Sequence, residues 1–390
     1  MRHTFVICAT RMRILSPKDG GKIQLVRSDG LNARLGIRTD DRSTEFRQFF
    51  SFVARDLERG REHTFEIGNA GDCTYGDAFE EYRVCASVGD EDDWFRVPTE
   101  FDGKTLRFSF QAEDDVAAAK FAYFAPYSRA RRLDLIERVQ KTDRVGVEIA
   151  GKTVMGEPMH LLSLGNQDED ARKLWIVAQQ HPGETMAGWF MEGLASRLAF
   201  DDDETVERLL ETSRIFLVLC MNPDGAFAGN HRTNEAGKDL NRCWWEADEK
   251  DSPEVLAIRK AMYEHGVDFF LDVHGDEHVP YVFVAGAEGN PHYTDRIEGL
   301  EDAYSNAMLE ASEDFQTEQG YPKDAPGKGD LRCAGNYVGE AFDCLSLTLE
   351  MPFKDNANAP DERVGWSPDR CRTLGATTLK ALSEMVDDLR

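Results

Sequence analysis

Apolar and polar positions alternate over short stretches in the first third of the chain, at residues 33–39, 46–55, 64–67, 82–88, 94–97, 106–110 and 120–124. These stretches are rich in aromatic and β-branched residues. Turn-forming runs separate them, among them Asp29-Gly30, Asp40-Asp41, Asn69-Ala70-Gly71 and Asp102-Gly103. A period of two broken this often by turns predicts an all-β antiparallel sandwich over residues 1–126. The region carries no cluster of His, Cys or paired acids, so its expected role is support or substrate access. After Pro126 the period changes. Residues 128–141 have helical spacing, and apolar strand-like runs at 173–179, 214–221, 268–273, 281–285 and 345–349 then alternate with helical runs at 185–198, 253–265, 302–312 and 373–389. That alternation predicts an α/β region over residues 127–390, a mixed central sheet flanked by helices. No internal repeat or low-complexity tract is visible.

Composition narrows the class. A chain of 390 residues suggests about two or three domains. No apolar run reaches the roughly 18 residues of a membrane helix, and the stretch at 4–9 is too short and weakly flanked for a signal peptide. A cytoplasmic protein with no membrane partner is expected. Seventy-two acidic against 46 basic residues give a formal charge of −26, which repels phosphate backbones, so no nucleic-acid partner is expected. The acids are scattered, with short clusters at Asp90-Glu91-Asp92-Asp93 and Asp201-Asp202-Asp203-Glu204 that read as solubility or a salty habitat. The eight cysteines (8, 73, 85, 220, 243, 333, 344, 371) include no C-x-x-C and read as reduced core thiols.

Reactive groups in such sheets gather at the carboxyl ends of the strands. Four apolar runs end in chemistry: His181-Pro182-Gly183-Glu184, Asn222-Pro223-Asp224-Gly225, Asp272-Val273-His274-Gly275 and Thr348-Leu349-Glu350. An imidazole at a strand end and a carboxylate three residues later can point into one volume. With His274, His181 and Glu184 make two nitrogens and one carboxylate, the ligand set of an open catalytic zinc site. Taken alone, the same residues read equally well as hydrogen-bonded core histidines and a helix-start acid.

The rest of the pattern shifts that balance. Gly229-Asn230-His231-Arg232 and Lys238-Asp239-Leu240-Asn241-Arg242 follow in a turn-rich stretch. HPGE, NPDG, DLNR, DVHG and a late strand Glu, in this order from residue 181 to 350, resemble the zinc metallocarboxypeptidases. The β-rich leader ending in residues 121–128 (FAYFAPYS) resembles their cytosolic carboxypeptidase subfamily. The resemblance implies a zinc carboxypeptidase-like fold and one Zn²⁺ held by His181, Glu184 and His274. It makes Asp239 an acid behind His181, and Asn241 and Arg242 the binders of a peptide's terminal carboxylate. It gives Arg232 the task of polarising the scissile carbonyl, and Glu350 that of general base and then acid. The implied substrate is the C-terminus of a peptide or protein; the oligomeric state is left open.

Two features depart from the better-known digestive relatives. Where those carry a tyrosine on a mobile loop before the catalytic Glu, this chain has Leu331 and Arg332, with Tyr337 nearest, and no tyrosine role is assigned. His278 lies four residues beyond His274, but Gly275 argues against a helical metal pair, so it is not expected as a ligand. An acidic C-terminal preference is expected from the resemblance, with Lys328 and Arg332 as its supports and the net charge against it. The alternative activity is that of a zinc amidohydrolase of the aspartoacylase or succinylglutamate desuccinylase type, acting on a small N-acyl amino acid. Enzymes of that type lack the N-terminal sandwich.

Overall fold

The computed structural model describes residues 12–89, 93–113 and 115–389. Cys8, the apolar run at 4–9 and the acids at 90–92 lie outside them. The first strands are β1 (Arg13–Leu15), β2 (Ile23–Ser28), β3 (Asn32–Ile37), β4 (Ser51–Arg55) and β5 (Glu62–Ile67). They continue with β6 (Cys85–Ser87), β7 (Trp94–Arg96), β8 (Thr99–Phe101), β9 (Leu106–Gln111) and β10 (Ala118–Ala122). These form two five-stranded sheets, ordered β1-β4-β10-β6-β7 and β2-β3-β5-β9-β8. Alternation along the strands turns one face of each sheet inward. There Phe52 and Phe121 of the first sheet meet Phe65 and Phe108 of the second, with Phe65 and Phe121 at 4.8 Å between ring centres. The sandwich is antiparallel except for β3 and β5, which pair in parallel because the chain crosses to β4 in the other sheet between them.

A helix, α1 (Arg129–Val139), follows, started by Ser128, whose hydroxyl accepts the Arg131 N–H. Next come β11 (Val145–Lys152), β12 (Pro158–Gly165), β13 (Arg172–Ala178), α2 (Met186–Phe200), α3 (Glu204–Thr212), β14 (Ser213–Val218) and the short α4 (Pro223–Ala228). The chain goes on through α5 (Pro253–His265), β15 (Phe269–Val273), β16 (Phe283–Ala285), α6 (Asp295–Ala311), α7 (Ala334–Phe342), β17 (Leu345–Glu350) and α8 (Pro368–Met385). The strands make one seven-stranded sheet, β11-β12-β14-β13-β15-β17-β16. Its centre, β14-β13-β15-β17, is parallel, and the outer pairings are antiparallel. A parallel centre must be covered on both faces. Along β13, Leu174, Ile176 and Ala178 pack with α2, α6 and α8, while Trp175 and Val177 pack with α5 and α7. The hairpin β11–β12 and the helices α3, α4 and α7 were not expected from sequence. Helices α6 and α8 also begin earlier than their apolar spacing indicates, at caps formed by Thr294 and Ser367.

Two contacts lock the parts together. The buried Arg96 of β7 donates to the carbonyls of Phe353, Lys354, Val364 and Trp366, and Tyr123 stacks on Phe353 at 4.5 Å. Helices α2 and α8 cross at backbone contact: a Cβ on Gly193 would lie 2.0 Å from the Arg372 carbonyl oxygen, and one on Gly375 2.1 Å from that of Phe190. Gly193→Ala should therefore lower the stability to urea by about 1–3 kcal/mol, the usual cost of overpacking, with zinc content unchanged. A midpoint equal to that of the parent chain would show that the crossing can relax.

Candidate active site

From β13 the chain runs to the right side of the sheet for β15 only after placing β14 on the left, so the strand order reverses between β13 and β15. A crevice opens at the carboxyl ends of such a pair. His181 follows β13 and His274 follows β15, which brings residues far apart in sequence to its two rims. Gln179, in a left-handed conformation (φ 53°), bends the chain out of β13. Gly183 lets the turn press on the next loop, since a Cβ there would come 2.5 Å from the His231 ring. Glu184 then stands ahead of α2, its Oε1 at 2.6 Å from His181 Nδ1 and its Oε2 at 2.7 Å from His274 Nδ1. The three candidate ligand atoms lie within 4.8 Å of one another and are buried.

Each ring is held from behind. His181 Nε2 donates to Asp239 Oδ1 at 3.0 Å, and His274 Nε2 to Asp272 Oδ2 at 2.8 Å. Asp272 in turn accepts from Gln180, which Trp244 and Asn222 fix in place. Carboxylates accept and do not donate, so the point where both Nδ1 atoms face Glu184 calls for a cation. Glu184, Asp239 and Asp272 bring three negative charges, and the Arg232 guanidinium balances one of them. A divalent ion would offset negative charge left beside the two rings. The donor set thus fits zinc, and the Asp partners orient both rings for it. Burial alone would raise Glu184, but the two imidazoles outweigh it and hold this carboxyl well below its usual range. Asp239 is likewise held low against its burial by His181 and Arg232.

The other expected residues lie around the same cavity of about 800 Å³. Arg232 Nε donates to Asp239 Oδ2 at 2.8 Å. Asn241 is fixed by the Ala334 N–H on its Oδ1 at 2.7 Å, and Arg242 lines the wall beside it. Glu350, at the end of β17, accepts the Tyr321 hydroxyl on Oε1 at 3.0 Å, while its buried Oε2 has no hydrogen-bond partner. Burial, with Glu184 and Asp276 close by, raises its carboxyl well above the usual range.

Lys328 and Arg332 do not line the cavity, and Arg332 pairs with Asp330 at 2.7 Å. His278 pairs with Asp77 at 3.0 Å and stands outside the His181–Glu184–His274 group. Tyr337 of α7 is hydrogen-bonded to Tyr263 of α5 and does not line the cavity. Two tyrosines do line the cavity: Tyr75 from the sandwich, and Tyr321 from the irregular stretch after α6, where a lone Gly-Tyr-Pro gives no periodic signal. Sequence reasoning also missed Tyr75, and it gave Asp272 no role of its own although that residue opens the Asp272-Val273-His274-Gly275 run. Asp272 could have been found, because residues two apart on a strand share a face and His274 was already suspected.

Known proteins resemble this chain over most of its length. A family model described as the cytosolic carboxypeptidase N-terminal domain matches residues 14–124, and one described as zinc carboxypeptidase matches residues 133–364. An uncharacterized protein of Zymomonas mobilis is 39% identical over 378 residues, 97% of either chain. Cytosolic carboxypeptidase 6 of Caenorhabditis elegans is 22% identical over 353 residues, 82% of this chain and 73% of its own. The structure of a metallo-carboxypeptidase from Pseudomonas aeruginosa, in complex with (2-guanidinoethylmercapto)succinic acid, superposes with a TM-score of 0.92 at 44% identity, covering 97% of this chain and all of that one. With its leader and catalytic region both matched, the chain belongs to the zinc carboxypeptidase family and carries the N-terminal domain of the cytosolic carboxypeptidases.

Proposed function

We propose that this protein removes C-terminal residues from peptides or proteins, with one zinc ion held by His181, Glu184 and His274. The observation that carries the reading is the unpartnered oxygen of Glu350, which shares one cavity with that ligand set and with Arg232 and Arg242. A zinc ion held by His181, Glu184 and His274 would supply Lewis acidity, easing the loss of a proton from water near neutral pH. Glu350, whose Oε2 is free of hydrogen-bond partners, takes the proton of the attacking water and returns it to the leaving amine. Arg232 stabilises the negative charge that develops on the carbonyl oxygen. Arg242 and Asn241 receive the terminal carboxylate, which fixes the bond to be cut one residue inward. We divide the chain at residue 126, between the regions the two family models match, into an N-terminal β domain and a catalytic domain. The matched leader is the feature that the amidohydrolase alternative lacks.

An acidic preference at the cut end loses its two supports, Lys328 and Arg332. Away from the metal-ligand set, the cavity presents Glu288, Glu301 and Asp302, with Lys323 as the added cation, 3.8 Å from Glu288. Burial and the nearby Glu288 raise the Glu301 carboxyl, an arrangement that an incoming positive charge relieves. The similar Pseudomonas aeruginosa enzyme was crystallised with a molecule joining a guanidino group to succinic acid. A terminal residue with a cationic side chain is therefore the proposed preference.

Three outcomes are expected. Glu350→Gln should keep its zinc and its affinity for peptide while kcat falls by about 10²–10⁴-fold; steady-state kinetics with metal analysis checks this, and unchanged turnover rejects the assigned base. Removing the metal with a chelator should abolish hydrolysis and added zinc restore it; mass spectrometry of a peptide pool would then show single residues leaving from the carboxyl end only in the zinc-loaded sample. In peptides differing only in their last residue, Arg and Lys termini should exceed Leu by about tenfold in kcat/KM, with Glu slowest. Fastest release of Glu would reinstate the acidic preference.

A further inference from the structure

Arg232 sits in the loop between α4 and α5, which has little regular structure of its own to hold a guanidinium in place. What fixes that loop comes from the other end of the chain. Asp40, on the connection between β3 and β4 and only 3% exposed, reaches across to it. Its Oδ1 accepts the His231 N–H at 2.7 Å, and its Oδ2 accepts the N–H groups of Arg232 at 2.8 Å and Thr233 at 3.0 Å, with the Thr233 hydroxyl at 3.2 Å. Beside it, Asn230 Oδ1 accepts from the buried Lys22 Nζ at 2.8 Å and from the Asp41 N–H at 2.9 Å. Three successive amides directed at one carboxylate restrain the orientation of that backbone. The side chain is then gripped from two sides. Asp239 takes Nε, and the Tyr75 hydroxyl takes the Nη1 hydrogen at 2.9 Å, with the Phe46 ring at 5.8 Å from the guanidinium carbon.

We propose that Asp40 and Tyr75 are positioning residues for catalysis: the N-terminal sandwich sets the pose of Arg232, Asp40 by clamping its backbone and Tyr75 by holding its guanidinium. The sandwich is then part of the active site and not only its support. This rests on the role given above to Arg232. Neither residue delivers a proton or a metal ligand. Their contribution is the aim of a positive charge at the carbonyl oxygen, where displacements of about 1 Å cost up to about 10²-fold in rate.

The test is a double-mutant cycle on the full-length zinc-loaded enzyme. Tyr75→Phe should lower kcat about tenfold with KM changed less than about twofold, and with zinc content and melting temperature unaltered. In an Arg232→Gln background the same substitution should change kcat by less than about twofold, because the group it acts through is gone. An equal fall in both backgrounds, or none in either, overturns the role of Tyr75. If Arg232→Gln alone leaves kcat intact, the reading of Arg232 fails instead, and the two failures are told apart. Asp40→Asn puts a donor where three hydrogen bonds were accepted. Hydrogen exchange should then show the 231–233 amides losing protection while β13 and β15 keep theirs, a readout that needs no activity. Unchanged protection there overturns the clamp, whatever the kinetics.

Discussion

Buried charge is the constraint that organises this molecule. Glu184 and Asp272 are removed from water beside two imidazoles, with Asp239 largely so, and a buried carboxylate is tolerated only when its neighbours return what hydration would have supplied. Neighbouring elements answer most of that demand, although Asp272 Oδ1 is left without a hydrogen-bond partner. Gln180 and Gly275 donate to Asp272 and Glu184, Arg232 donates to Asp239, and the turn after β13 bends sharply enough to put His181 and Glu184 on the same centre. The sheet supplies the place: only where the strand order reverses do two parallel strands end beside an open crevice.

Much of this is written locally and can be read without coordinates. The helix at 253–265 is bounded by Pro253 and Gly266, so its ends are visible in the sequence, and the structure has it at those bounds. The central strands β13 and β15 are continuous apolar runs because they are covered on both faces. His181, Glu184 and His274 were recognisable because each lies within a few residues of the end of such a run. The expected convergence needed only that those strands be neighbours.

What was hidden is either weakly patterned or remote. β11 and β12 form an edge hairpin whose outer strand is half exposed and contains Gly146 and Gly151, so no clean alternation marks it. The acids at 201–204 read as plain solubility, yet Asp203 caps α3 through the Thr205 and Val206 N–H groups, and it pairs with Arg197. Tyr75 and Tyr321 announce nothing in their own neighbourhoods. Tyr75 matters through a bond to a residue 157 positions away, a distance over which a single sequence carries no signal. The parallel pairing of β3 with β5 was unreadable for the same reason.

The insertion of Arg96 into a ring of main-chain oxygens from the far end of the chain reaches beyond packing. Pulling the sandwich away from the catalytic region would strand a guanidinium and leave four carbonyls bare at once, with no smaller step between fully docked and fully lost. The docking of the two regions is thereby concentrated on one side chain, whose bonds across the seam form and break together.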